Sequence, residues 1–279
     1  MEVKTIELST SEGPKTISYT DWGEDTLAPP VLCVHGLTRN ARDFDDLAAA
    51  LSKNRRVICI DMIGRGNSDW FENKDLYSHI EYCAICISFL NALEIDVVEW
   101  VGTSMGGLIG LFLASATPSS GRIEKLIMND VGSFVPKAPL ERIGDYVGAD
   151  PEFDSLQDAT FYLRGIAQSF GPLTDEQWNH LAAFSFSERE NGKFGFTYDP
   201  GIGKVFEAGL EDTDLSEFWN TVEQSTLLIR GKESDLLLED TAKKMAARDN
   251  CTLVEFADVG HAPALMAEDQ IAAIESFLN

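Results

Sequence analysis

Apolar residues change their spacing twice along this chain. Up to about Ser133, short unbroken apolar runs alternate with longer segments in which apolar positions recur about every three to four residues. Val3 to Ser9 and Lys15 to Asp21 predict a first antiparallel pair of strands. Val31 to His35, Arg56 to Asp61, Val97 to Thr103 and Ile123 to Met128 predict short strands buried on both faces. Ala41 to Lys53, His79 to Leu93 and Met105 to Ala116 carry the helical spacing between them. From Phe134 to Glu217 the alternation stops, and helix-like segments such as Leu156 to Phe170 and Thr174 to Phe184 take over. It resumes with a strand at Ser225 to Arg230, a helix at Glu239 to Ala247, a strand at Cys251 to Phe256 and a last helix at Asp269 to Leu278.

This rhythm predicts an α/β fold with a mostly parallel central sheet and helices on both faces. Its core comprises residues 1–133 and 218–279, and residues 134–217 form an inserted helical cap. Ten of the 16 phenylalanines fall between Phe134 and Phe218. Most of them are expected to form the cap's own core, and the remainder to line an apolar pocket.

Composition narrows the functions. The 46 acidic against 22 basic residues give a net charge of −24, which repels phosphate backbones and makes nucleic acid an unsuitable partner. No apolar run approaches the roughly 20 residues of a membrane span, and the start lacks the apolar stretch of a signal peptide. A cytoplasmic protein is therefore expected. The five cysteines (Cys33, Cys59, Cys83, Cys86 and Cys251) lie in apolar segments without paired zinc-ligand spacing, so they read as reduced core thiols.

The segment Gly102-Thr103-Ser104-Met105-Gly106 joins a predicted strand to a predicted helix. A Gly-x-Ser-x-Gly pattern in that context holds a serine hydroxyl on a sharp turn above the sheet edge, with the next N–H and the helix N-terminus facing any oxyanion formed beside it. A serine needs a base, and the chain has four histidines: His35, His79, His180 and His261. His79 and His180 lie on helices. His35 precedes Gly36 at a strand end, and His261 follows the last strand in a Gly-His-Ala-Pro loop, where its ring can reach across the sheet edge. The carboxylate orienting the histidine has two candidates, Asp235 in the loop after Ser225 to Arg230 and Asp130 at the end of the Ile123 strand. Asp235 is favoured because it gives the order Ser104, Asp235, His261. Arg39 is a candidate for holding a substrate carboxylate, or else an ion-pair partner of Asp43 or Asp46.

The blocks VLCVHGLTRN, DMIGRGNSD, VGTSMGG, LLIRGKESDLL and DVGHAP, in this order, resemble α/β-hydrolase fold enzymes with a helical cap over almost the whole length. The resemblance implies Ser104 as nucleophile, Asp235 as acid, His261 as base, and an oxyanion hole from the backbone N–H groups of Leu37 and Met105. It implies a structural role for His35 and for the Asp61-x-x-Gly64-x-Gly66-x-Ser68 block. The expected activity is hydrolysis of small carboxylic esters through an acyl-enzyme, requiring no metal or organic cofactor. Carbon–carbon bond hydrolysis of dioxo acids and lactone hydrolysis use the same frame, and a ligand receptor without turnover is a further alternative. A serine at the elbow argues against haloalkane dehalogenases and epoxide hydrolases, which carry an aspartate there.

Overall fold

A computed structural model describes residues 1–117, 119–207 and 209–279. The core begins with β1 (Glu2–Thr10), β2 (Gly13–Trp22), β3 (Val31–Val34), α1 (Asp45–Leu51), β4 (Val57–Ile60), α2 (His79–Ala92), β5 (Val98–Thr103), α3 (Met105–Ser115) and β6 (Ile123–Asn129). Between β6 and the return to the sheet lie β7 (Phe134–Val135), α4 (Lys137–Gly144), α5 (Leu156–Ile166), α6 (Asp175–Ser185), β8 (Phe186–Glu188), β9 (Phe194–Phe196), β10 (Thr213–Asp214) and α7 (Ser216–Thr221). The core ends with β11 (Ser225–Gly231), α8 (Glu239–Ala246), β12 (Cys251–Phe256) and α9 (Glu268–Leu278).

Eight strands form one sheet in the order β1-β2-β4-β3-β5-β6-β11-β12. The β1–β2 hairpin is antiparallel and β2 runs antiparallel to β4, while every pairing from β4 to β12 is parallel. Successive side chains of a strand point to opposite faces, and the core divides accordingly. Val31, Cys33, Val57 and Cys59 join Leu47 and Leu51 of α1 and Ile274 and Leu278 of α9. Leu32, Val34, Ile58 and Ile60 pack on the other face with Phe89 of α2 and Ile109 of α3. Both faces are covered, so β3 and β4 carry no polar residue and are wholly buried. All five cysteines are free thiols, with only Cys83 partly exposed. No helix among the described residues is long and apolar enough to cross a membrane.

Two predicted helices are shorter than their apolar spacing suggested. Over Ala41 to Lys53 the first turn is a 3-10 helix, Ala41–Phe44, because the Asn40 side chain caps the Arg42 N–H, and α1 occupies only Asp45–Leu51. Over Leu156 to Phe170, α5 stops at Ile166, and a 3-10 turn over Gln168–Phe170 leads into Gly171 at φ +101°. The segment between β6 and β11 is also less purely helical than expected. Its two ends zip together where β7 pairs with β10 (Phe134 opposite Asp214, Val135 opposite Thr213), and β8 pairs with β9. Strands of two or three residues are too short to show an alternating pattern. Phe153, Phe186, Phe196 and Tyr162 stack on one another inside this segment, so much of its phenylalanine is its own core.

Candidate active site

The carboxyl ends of β3, β5, β6 and β12 converge, as expected for the ligand-binding edge of a parallel sheet. Ser104 sits between β5 and α3 at φ 51° and ψ −112°, a conformation rarely adopted by a residue with a side chain. Its N–H donates to the Asn129 carbonyl at 2.9 Å, and its own carbonyl accepts from Leu108 at 3.0 Å. The glycines on either side permit this turn by close approach. A Cβ on Gly102 would stand 2.2 Å from the Gly106 carbonyl oxygen, and one on Gly106 would stand 1.9 Å from the Val34 carbonyl oxygen. No side chain fits at either place.

The Ser104 hydroxyl lies 2.9 Å from His261 Nε2, and His261 Nδ1 lies 2.8 Å from Asp130 Oδ2. A carboxylate only accepts, so Nδ1 carries the proton and Nε2 is free to accept from the serine. Asp130 is fully buried and adopts φ 55°. That left-handed residue turns the chain back at the end of β6, and the carboxylate is fixed by the Gly231 N–H at 2.9 Å and the Ser234 hydroxyl at 2.5 Å.

The carboxylate expected at this place was Asp235, and the structure puts Asp130 there instead. Ser234 is the cause. Its hydroxyl donates to Asp130 and accepts from the N–H groups of Leu236 and Leu237. This tight turn sends the next side chain outward, where half-exposed Asp235 makes a two-point ion pair with Arg142 at 3.1 and 3.0 Å.

Helix α3 starts at Met105, whose N–H has no intrahelical partner and which borders the cleft together with Ser104. Leu37 borders the same space on the β3 side. Its carbonyl is held at 2.8 Å by Nε of Arg65, a fully buried guanidinium that also donates to the Ile63 carbonyl and the Tyr82 hydroxyl. Arg65 went unnoticed in the sequence because it sits within a glycine-rich block that reads as a turn. His35 is scaffold: Nδ1 bonds the Gly36 carbonyl at 2.7 Å, Nε2 accepts from Met62 N–H at 2.9 Å, and burial lowers its pKa to about 3. Asp61 is likewise buried, accepting from the N–H groups of Ala41 and Asn67. Burial pushes its carboxyl above the usual range.

Arg39 borders the site, and its fork is engaged by Asp43 through Nε at 2.8 Å and Nη2 at 2.6 Å, with Nη1 on the Ser185 hydroxyl at 2.9 Å. The ion-pair alternative with Asp43 is therefore present, and one N–H on each of Nη1 and Nη2 is left over.

Ser104 stands where two cavities meet, sharing Leu37 and Ile143 between them. One, of 340 Å³, is apolar and runs past Met105, Leu108, Phe112, Val135 and Leu140. The other, of 80 Å³, contains His261, Arg39, Ser169, Tyr146 and Tyr198. The segment between β6 and β11 borders this second cavity and touches the histidine loop directly: the Ser169 carbonyl accepts from Gly260 N–H at 2.8 Å, and the Ser169 hydroxyl donates to the His261 carbonyl.

The sheet topology together with the Ser104 turn defines the class, and the chain belongs to the alpha/beta hydrolase family, whose profile matches residues 31–274. Over 284 aligned positions the chain is 35% identical to the 3-hydroxybutyrate-oligomer hydrolase of Cupriavidus necator, covering 98% of this chain and 96% of that protein. A 2-hydroxy-6-oxo-2,4-heptadienoate hydrolase of Pseudomonas putida is 31% identical over 222 positions, 77% of this chain and 76% of that protein. Among solved structures, a putative hydrolase from Rickettsia typhi superimposes with a TM-score of 0.94 at 35% identity, covering 100% of this chain and 99% of that one.

Proposed function

We propose that the protein is a serine hydrolase that cleaves carboxylic ester bonds of short hydroxy-acid oligomers through an acyl-enzyme on Ser104. The observation that carries this reading is the unbroken hydrogen-bond chain from Ser104 through His261 to buried Asp130 at the floor of the cleft. Ser104 Oγ attacks the ester carbonyl while His261 Nε2 takes its proton, and Asp130 compensates the imidazolium that forms. The N–H groups of Leu37 and Met105 receive the oxyanion. The tetrahedral intermediate expels the alkoxide, which leaves as the alcohol with the proton from His261. Water, deprotonated by the same nitrogen, then releases the acid. Residues 134–217 act as a cap that closes the cleft, and no metal or organic cofactor enters these steps.

The oligoester substrate class rests on the likeness to the Cupriavidus enzyme over nearly the whole of both chains. The test is hydrolysis of short p-nitrophenyl esters and of 3-hydroxybutyrate oligomers by the native protein and by Ser104→Ala. Loss of both activities in Ser104→Ala supports the reading, whereas hydrolysis at the native rate excludes it. A second reading, carbon–carbon cleavage of a dioxo acid on the same residues, is favoured by the likeness to the Pseudomonas enzyme. Turnover of a vinylogous diketo acid with negligible esterase activity would select it.

A further inference from the structure

We propose that the small polar cavity beside His261 holds the free carboxylate of an oligoester, so that the enzyme removes hydroxy-acid units one at a time from the carboxyl end. The inference rests on the ester-hydrolase reading and adds which end of the substrate is recognised, and by which groups.

The leaving alcohol must take its proton from His261, so it occupies a cavity that His261 borders. Of the two cavities that meet at Ser104, that is the 80 Å³ one; His261 also borders a 400 Å³ opening, but Glu233 and Asp235 line that opening and Ser104 does not. The acyl part therefore extends along the apolar side, past Met105 and Leu108. A water-sized group needs about 10–15 Å³, so 80 Å³ takes roughly five to eight such groups, the size of a single hydroxy acid. In a 3-hydroxybutyrate oligomer, only a short carbon bridge separates the last ester oxygen from the terminal carboxylate. The negative charge thus lies inside this cavity whenever the last ester bond is over Ser104.

The walls suit an anion. In a chain of net charge −24, the cavity borders two arginines and no aspartate or glutamate; Arg142 is paired with Asp235 and Arg39 with Asp43, and it is Arg39 that is buried beside His261. Arg39 is 8% exposed and keeps an unused N–H on each terminal nitrogen, directed away from Asp43 and Ser185. Tyr198 is a second, independent observation at this cavity. It is 3% exposed and borders the cavity, and its hydroxyl has no hydrogen-bond partner among the described residues. A buried hydroxyl without a partner is costly, and a carboxylate oxygen would satisfy it. Burial pushes the phenols of Tyr198 and Tyr146 upward in pKa, which keeps both protonated as donors. In the acylation step the Ser104 Oγ–carbon bond forms and the ester carbon–oxygen bond breaks. The serine proton passes through His261 Nε2 to the departing oxygen, and free 3-hydroxybutyrate leaves with its carboxylate unchanged.

The test compares the linear 3-hydroxybutyrate dimer with its methyl ester, on the native protein and on Tyr198→Phe, a change that removes only the orphan hydroxyl. The native enzyme is expected to favour the free acid by roughly tenfold or more in kcat/KM, the size of a charge-assisted contact, and Tyr198→Phe to lose most of that preference through a raised KM. With a trimer labelled at its carboxyl-terminal unit, the first product is expected to be the labelled monomer. Equal cleavage of acid and methyl ester, a preference undiminished in Tyr198→Phe, or initial release of the unlabelled hydroxyl-end unit would each overturn the proposal while leaving ester hydrolysis intact. Failure of the ester-hydrolase reading looks different, because neither compound would then be cleaved.

Discussion

His261 Nδ1 and Asp130 Oδ2 are 2.8 Å apart although 131 positions separate them in the chain, and the same oxygen accepts from Ser234. A carboxylate shared in this way fixes both the tautomer and the tilt of the imidazole. Asp130→Asn presents the wrong hydrogen-bonding face to Nδ1, and is expected to lower kcat by about a thousandfold or more with a much smaller change in KM. Asp235→Asn removes only an exposed ion pair with Arg142 and is expected to stay within about twofold to threefold of native. Steady-state kinetics of the two variants on one ester decide the matter. Comparable losses in both would mean that the resting geometry is not the working one.

Arg65 reaches the site through Leu37. Its guanidinium holds the Leu37 carbonyl from behind while two further groups fix its own position. Arg65→Lys keeps the charge but cannot serve all three acceptors. A displaced oxyanion donor costs less than a deleted one, which is worth about a hundredfold to a thousandfold, so a fall in kcat of roughly tenfold is expected with KM little changed. An unaltered kcat would show that the loop holds its shape without the fork.

Gly106 is a packing requirement as well as a turn residue. In Gly106→Ala the added Cβ would stand 1.9 Å from the Val34 carbonyl oxygen, so β3 and α3 must move apart. Overpacking of this kind costs about 1–3 kcal/mol or more, and each kcal/mol lowers the Tm of a domain this large by about 2–4 °C. A melting curve displaced downward by several degrees, together with lost activity, is the expected result. A Tm equal to native would contradict the packing described.

Acid should destabilise the protein partly through His35. Burial lowers its folded pKa to about 3, below the unfolded value of about 6.5. Between these values the unfolded chain binds the proton and the folded one does not. Stability from this site is therefore complete above about pH 6.5 and is lost as pH falls toward 3, by up to about 1.4 kcal/mol per pH unit. Ring-nitrogen NMR should show His35 neutral at pH 5, with Nδ1 carrying the proton that bonds Gly36. An imidazolium signal from the folded protein at that pH would refute this.

The order of strands and helices, the elbow at Ser104 and the reach of His261 were legible in the chain because they depend on local spacing: unbroken apolar runs for strands buried on both faces, helical periodicity for α2 and α3, and small residues flanking a strained serine. The choice between Asp130 and Asp235 was not. Both follow ends of neighbouring parallel strands, β6 and β11, and spacing alone allows either to approach the histidine. The hydroxyl of Ser234, spanning from one strand end to the other, turns Asp130 inward and Asp235 outward. Arg65 was equally hidden, since a buried cation satisfied by carbonyls and a phenol leaves no acidic partner in the sequence to betray it. The sequence by itself determined the frame and pointed to the meeting of Ser104 with His261, because covalent spacing sets which residues end a strand or start a helix. Tertiary structure decided the third member of the chain, the support behind Leu37 and the division of the cleft, because these depend on which way side chains from distant segments point once the strands lie side by side.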